Sequence, residues 1–144
     1  MIQFEPIKEL VISLGGVLSK LTEHGFKPYV AHNQTCPKIF IHEGLGIVVK
    51  RSYLQGKTPP ANSIPTLEIE LPLDESKRAE EYGLTEKRWE KNFEKVLIQP
   101  LADISNQSAA HQELRDKGHD YGVTTDFGVR NVGFYNGVAV IFDW

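Results

Sequence analysis

Residues Asp126–Trp144 read DFGVRNVGFYNGVAVIFDW, and the rest of the chain is read from this stretch outward. At its centre Asn136-Gly137 sits between two runs of strand character, Val132–Tyr135 and Val138–Phe142. Asn and Gly tolerate the positive φ that a tight type I′ turn needs at both central positions, so the stretch predicts a β-hairpin. Asp126 and Asn131 lie five residues apart ahead of that hairpin, and a second acid, Asp143, follows twelve residues after Asn131. A closed hairpin brings its two ends together, so Asn131 and Asp143 can share one ion. An amide oxygen and a carboxylate are hard ligands of the kind Mg²⁺ takes. A further carboxylate, Asp126, is the type of group that sits beside an attacking hydroxyl in phosphoryl transfer.

Upstream, Ser105–Lys117 predicts a helix with Ser105 or Asn106 as its cap and Gly118 as its terminator. Val96–Leu101 reads as a short buried strand ending at Pro100. Asp74–Glu94 is highly charged and reads as a solvated helix interrupted near Gly83, with Trp89, Phe93 and Val96 on one stripe. Leu67-Glu68-Ile69-Glu70-Leu71 alternates apolar and charged residues, as a half-buried strand does. Gln55–Ser63, with Gly56, Pro59 and Pro60, reads as a loop. Lys38–His42 and Gly46–Arg51 flank the turn Glu43-Gly44-Leu45 and predict a second hairpin. In the first part of the chain Ile7, Leu10, Val11, Leu14, Leu18 and Leu21 recur at helical spacing, so one helix is expected from Pro6 to a stop at Gly25, weakened at Gly15-Gly16.

Composition excludes several classes. The chain has 144 residues, 40% hydrophobic and 24% charged, which suits one domain with a sizeable core and argues against disorder. A single cysteine, Cys36, excludes a disulfide scaffold and reads as an ordinary thiol. A formal net charge of −3 offers no bulk basic character for nucleic acid, and none is expected as a partner. No apolar stretch reaches the length of a membrane span and the N-terminus lacks the parts of a signal peptide. The sequence therefore predicts a cytoplasmic protein with no membrane partner. The five histidines show no metal-ligand spacing.

The text DFGVRN followed by VGFYNGVAVIFDW resembles the protein-kinase-like superfamily, and within it the aminoglycoside-phosphotransferase type. That family's catalytic loop runs Asp-x-x-x-x-Asn, and a strand–turn–strand then ends in an apolar residue and Asp-Trp or Asp-Phe-Gly. The resemblance implies Asp126 as the catalytic-loop acid and Asn131 and Asp143 as metal ligands. Ile47-Val48-Val49-Lys50 resembles the strand whose lysine reaches the nucleotide phosphates. Val96-Leu97-Ile98-Gln99-Pro100-Leu101 resembles the hinge strand whose backbone holds the adenine. Lys50, Gln99 and Leu101 are thereby implied as nucleotide-binding residues, with ATP and Mg²⁺ as cofactors. Asp126-Phe127-Gly128 also spells the kinase metal motif itself. In that register Asp120 would need an Asn five residues on and has Thr125, so the register Asp126, Asn131, Asp143 is preferred. No G-x-G-x-x-G precedes Lys50, Thr124 stands where the family has a histidine, and no glutamate is assigned to pair with Lys50.

The expected fold is α+β: a kinase-like N-lobe antiparallel sheet with helices, plus a minimal catalytic-loop hairpin in place of a full C-lobe. It is expected as a single domain over 1–144, truncated after the metal-ligand position. The function implied is a minimal or degenerate kinase-like protein that binds ATP and Mg²⁺, either transferring phosphate or surviving as a pseudokinase. The alternative is a non-catalytic interaction or inhibitor protein of phage or mobile-element type on the same scaffold, bound to a protein partner or to a second copy of itself.

Overall fold

The structure is a computed structural model that describes residues 4–15, 17–29, 39–52, 61–72, 93–118 and 129–142. The fold is α+β, with a five-stranded antiparallel sheet and a second, two-stranded sheet. The chain divides into two compact units, one of Met1–Gln55 and Leu67–Ile98, the other of Gly56–Thr66 and Gln99–Trp144.

The first unit opens with helix α1, Glu5–Ser13, whose Pro6 occupies the first turn, where a missing N–H costs nothing. The single helix expected as far as Gly25 does not form. Gly15 adopts φ +65°, which ends α1, and the chain resumes as a 3-10 helix over Leu18–His24. Leu18 and Leu21 are both buried and lie three residues apart, the spacing at which 3-10 side chains eclipse on one face. The apolar series is therefore correct as a buried face, and the break divides it between two helix types. Gly25, at φ +87°, closes the 3-10 helix as expected.

The sheet runs in the order β1-β2-β3-β5-β4, with β1 at Lys27–Tyr29, β2 at Ile39–His42, β3 at Ile47–Ser52, β4 at Leu67–Pro72 and β5 at Phe93–Pro100. The pairs β1–β2, β2–β3 and β4–β5 are antiparallel. Strand β1 was not expected. It is three residues long, contains Pro28 and lies at the sheet edge, where a residue without an N–H is tolerated. The β2–β3 hairpin is as expected and turns through Glu43–Gly46. Gly46 takes φ +64° and its N–H donates to Glu43 O at 3.1 Å, while His42 Nδ1 accepts from Leu45 N–H at 3.0 Å. Edge strand β4 keeps its alternation, with Ile69 buried between exposed Glu68 and Glu70. Strand β5 lies inside the sheet and is buried continuously over 96–100, which is why its sequence shows no alternation. Phe93 and Glu94, read as the end of the charged helix, belong to β5 and pair with Pro72 and Leu71. The remainder of that helix, with Trp89, lies outside the described residues, as do Cys36 and most of the loop 55–63.

One face of the sheet carries the core. Phe40, Ile47, Val49, Ile69, Val96 and Ile98 pack with Ile7, Val11, Leu18, Leu21 and Phe26. Alternation along the strands puts Val48, Lys50 and Leu97 on the other face.

In the second unit helix α2, Gln107–Asp116, is capped as expected: the Asn106 side chain accepts from Ala109 N–H at 3.2 Å, and Gly118 takes φ +95° at the far end. The terminal hairpin is also as expected, with β6 at Val132–Tyr135, β7 at Val138–Ile141, and φ +52° and +77° at Asn136 and Gly137. Ala110 and Leu114 of α2 pack on Val132, Ala139 and Ile141.

Candidate functional site

The hairpin β6–β7 is enclosed by backbone and side-chain partners. In its ladder Phe134 stands opposite Ala139 and Val132 opposite Ile141. Groups that point away from the ladder need partners of their own. On the β6 side, Phe134 N–H donates to Asp103 O at 2.9 Å and Phe134 O accepts from Asp103 N–H at 2.7 Å. On the β7 side, Ile141 N–H donates to Asn62 O and Ile141 O accepts from Ile64 N–H, both at 2.9 Å. Helix α2 supplies two more partners. Glu113 Oε2 accepts from Ala139 N–H at 2.8 Å, and Gln107 Nε2 donates to Val132 O at 3.0 Å and Arg130 O at 3.3 Å.

Gly133 makes the β6 contact possible. A Cβ there would meet Asp103 O at 2.7 Å and the Ala102 Cβ at 3.2 Å, so the close backbone approach requires glycine. Asp103 also caps the turn into α2, accepting from Ser105 N–H at 2.9 Å. Hydrogen bonds from the Ser105 side chain and then its backbone hold the exposed Asp103 carboxyl below its ordinary value of 3.8.

The open end of the hairpin is where the resemblance implies metal ligands. The short 3-10 turn Val129–Asn131 leads into β6, and Phe142 N–H donates to Asn131 O at 3.0 Å, closing the base of the hairpin. Asn131 therefore lies opposite Phe142, the residue before Asp143. Asp126 and Asp143 themselves lie outside the described residues. Among the described residues no group of three or more His, Cys, Asp and Glu side chains is arranged to hold a metal ion, and no helix is long and apolar enough to cross a membrane.

Of the nucleotide-binding candidates, Lys50 and Gln99 lie on strands, whereas Leu101, expected at the end of a buried strand, does not. Lys50 lies in β3 opposite Ile39, half-buried, on the sheet face away from the α1 core. Gln99 follows Ile98 in β5 and is almost fully buried, its Nε2 donating to Thr66 Oγ1 at 3.1 Å. Thr66 Oγ1 in turn donates to Ile64 O at 2.9 Å. The Gln99 side chain is thus engaged inside its own unit, and only its backbone remains for the hinge role the resemblance implies. Leu101 lies just past the end of β5 and is exposed.

Three residues that organise the hairpin, Gln107, Glu113 and Gly133, had no assigned role in the sequence. Nothing in the helix spacing distinguishes Gln107 or Glu113 from solvated polar residues, because their acceptors and donors are backbone atoms distant in sequence. Gly133 carried a signal: a glycine inside a strand marks a bulge or a close backbone approach.

No protein-family model, curated protein or solved structure matches this chain.

Proposed function

We propose that the chain is a minimal kinase-like protein that binds ATP together with Mg²⁺. The observation that carries this reading is the bond from Phe142 N–H to Asn131 O, because the reading requires the two ends of the hairpin to meet. The strand succession adds support: a lysine in β3 on the face away from the helical core, then a buried strand β5 that runs out into the exposed segment beginning at Leu101. The donor set fits a hard divalent cation, since Asn131 and Asp143 supply amide and carboxylate oxygen. When bound, Mg²⁺ would neutralise charge on the phosphates. Lys50 would contact those phosphates, the backbone at Gln99 and Leu101 would hold the base, and Asp126 would orient an acceptor hydroxyl.

Titration calorimetry with ATP, with and without Mg²⁺, tests the reading on the wild type, Lys50→Met and Asp143→Ala. Binding that depends on Mg²⁺ and weakens about tenfold or more in Asp143→Ala is expected, the scale seen when a metal site loses a supporting group. Binding indifferent to Mg²⁺ and to both substitutions would overturn it. A chain that binds no ATP but captures a protein partner would instead support the non-catalytic alternative.

A further inference from the structure

Three successive carbonyls surround the proposed metal-ligand position, and each has a partner. Asn131 O accepts from Phe142 N–H, and the carbonyls on either side, of Arg130 and Val132, both accept from Gln107 Nε2. A carboxamide nitrogen has two N–H donors, so one Gln107 side chain satisfies both flanking carbonyls and has no donor left over. Gln107 is the first residue of α2, and α2 is seated by Ala110 and Leu114 against the hairpin core, which fixes the point from which the side chain reaches. At the opposite end of α2, Glu113 holds Ala139 N–H, close to the Asn136-Gly137 turn.

We infer that Gln107 is the positioning residue of the site: it clamps the carbonyls on both sides of Asn131 and so fixes the backbone from which the Asn131 side chain is presented. The role of Asn131 as a Mg²⁺ ligand rests on the proposed function, whereas the clamp rests on the geometry alone. The functional consequence is specific. Loss of the clamp should weaken only the metal-dependent part of ATP binding, because the base and phosphate contacts proposed above are assigned to other residues.

The test uses the full chain and two readouts, amide hydrogen exchange by NMR and ATP binding with and without Mg²⁺. Gln107→Met keeps the length of the side chain and removes both donors, while Gln107→Lys restores N–H donors at similar reach. Gln107→Met should speed exchange of the Phe142 amide about fivefold, the equivalent of one ordinary hydrogen bond, and leave the Ala139 amide unchanged. Mg²⁺-dependent ATP affinity should fall by about the same factor, Mg²⁺-free affinity should not change, and Gln107→Lys should recover most of both losses. Unchanged exchange at Phe142, or equal acceleration at Phe142 and Ala139, would overturn the clamp. Should Gln107→Met not fold, a folded Gln107→Lys with wild-type exchange at Phe142 upholds the clamp and a faster one overturns it. A wild type without Mg²⁺-dependent ATP binding would sink the nucleotide reading, and the exchange measurement would then decide the clamp by itself.

Discussion

The sheet unit and the hairpin unit are held by different means. Among the described residues, the sheet unit joins eleven buried apolar side chains from helix and strand into one cluster, including Phe26, Phe40 and six leucines or isoleucines. The hairpin unit has five, two of them alanines. That small core bears extra polar connections instead: Glu113 to Ala139, Gln107 to Arg130 and Val132, Asp103 to Phe134, and Asn62 and Ile64 to Ile141. Burial is non-directional and tolerates small shifts, whereas a hydrogen bond loses strength steeply with angle. A site that must present a ligand in a fixed direction is better served by the second kind of support.

Substitutions can break this contrast, beginning with the largest effect. Phe40→Ala removes a side chain that is 1% exposed at the centre of the sheet core and should cost about 3–5 kcal/mol in chemical denaturation. A loss below about 1 kcal/mol would mean that the apolar cluster is not the main support of its unit. Gly133→Ala inserts a methyl against Asp103 O and should cost about 1–3 kcal/mol, with the amides of Asp103 and Phe134 losing exchange protection. Glu113→Ala leaves the N–H of buried Ala139 without its acceptor and should cost about 1–2 kcal/mol, most of which Glu113→Gln recovers because the amide oxygen still accepts. Equal losses in both variants would show that the charge, shared with Lys117 at 3.6 Å, matters more than the hydrogen bond. Asn106→Ala removes the cap of α2 and should cost about 1 kcal/mol in thermal unfolding. The smallest effect concerns Asp103. Its carboxyl is held below the ordinary value of 3.8, so the stability it adds is present above that pH and is lost as pH falls through the lowered value. Asp103→Ala should flatten the acid limb of a melting-temperature profile, and an unaltered limb would remove Asp103 from the account.

The same contrast explains what the sequence disclosed. Periodicity reports burial, so the core face Ile7, Val11, Leu18 and Leu21, the alternating strand β4 and the continuous strand β5 were legible. Turn chemistry reports φ, so Asn136-Gly137, Gly25 and Gly118 were legible as well. The interruption of the first helix was only half visible, because both helix types set residues three apart close together on one face and Gly15 could equally have been tolerated inside a helix. Phe93 and Glu94 misled because the charged run passes into the strand in sequence without a glycine or proline between them. Of the candidate site, the convergence of Asn131 with the residue before Asp143 was legible from the turn. The three residues that hold the hairpin were not, since side chains bonded to remote backbone leave no periodic trace.

Those bonds have one more consequence, for how such a chain changes over generations. A contact made to a main-chain atom is indifferent to which side chain that residue carries. Residues 130, 132 and 139 can therefore be exchanged for others of suitable volume without disturbing their anchors, while position 107 must keep an N–H donor, position 113 an acceptor, and position 133 its glycine. Within this unit, descent is better traced through a glutamine and a glutamate six positions apart on a helix, followed by a strand glycine, than through the hairpin's own apolar letters.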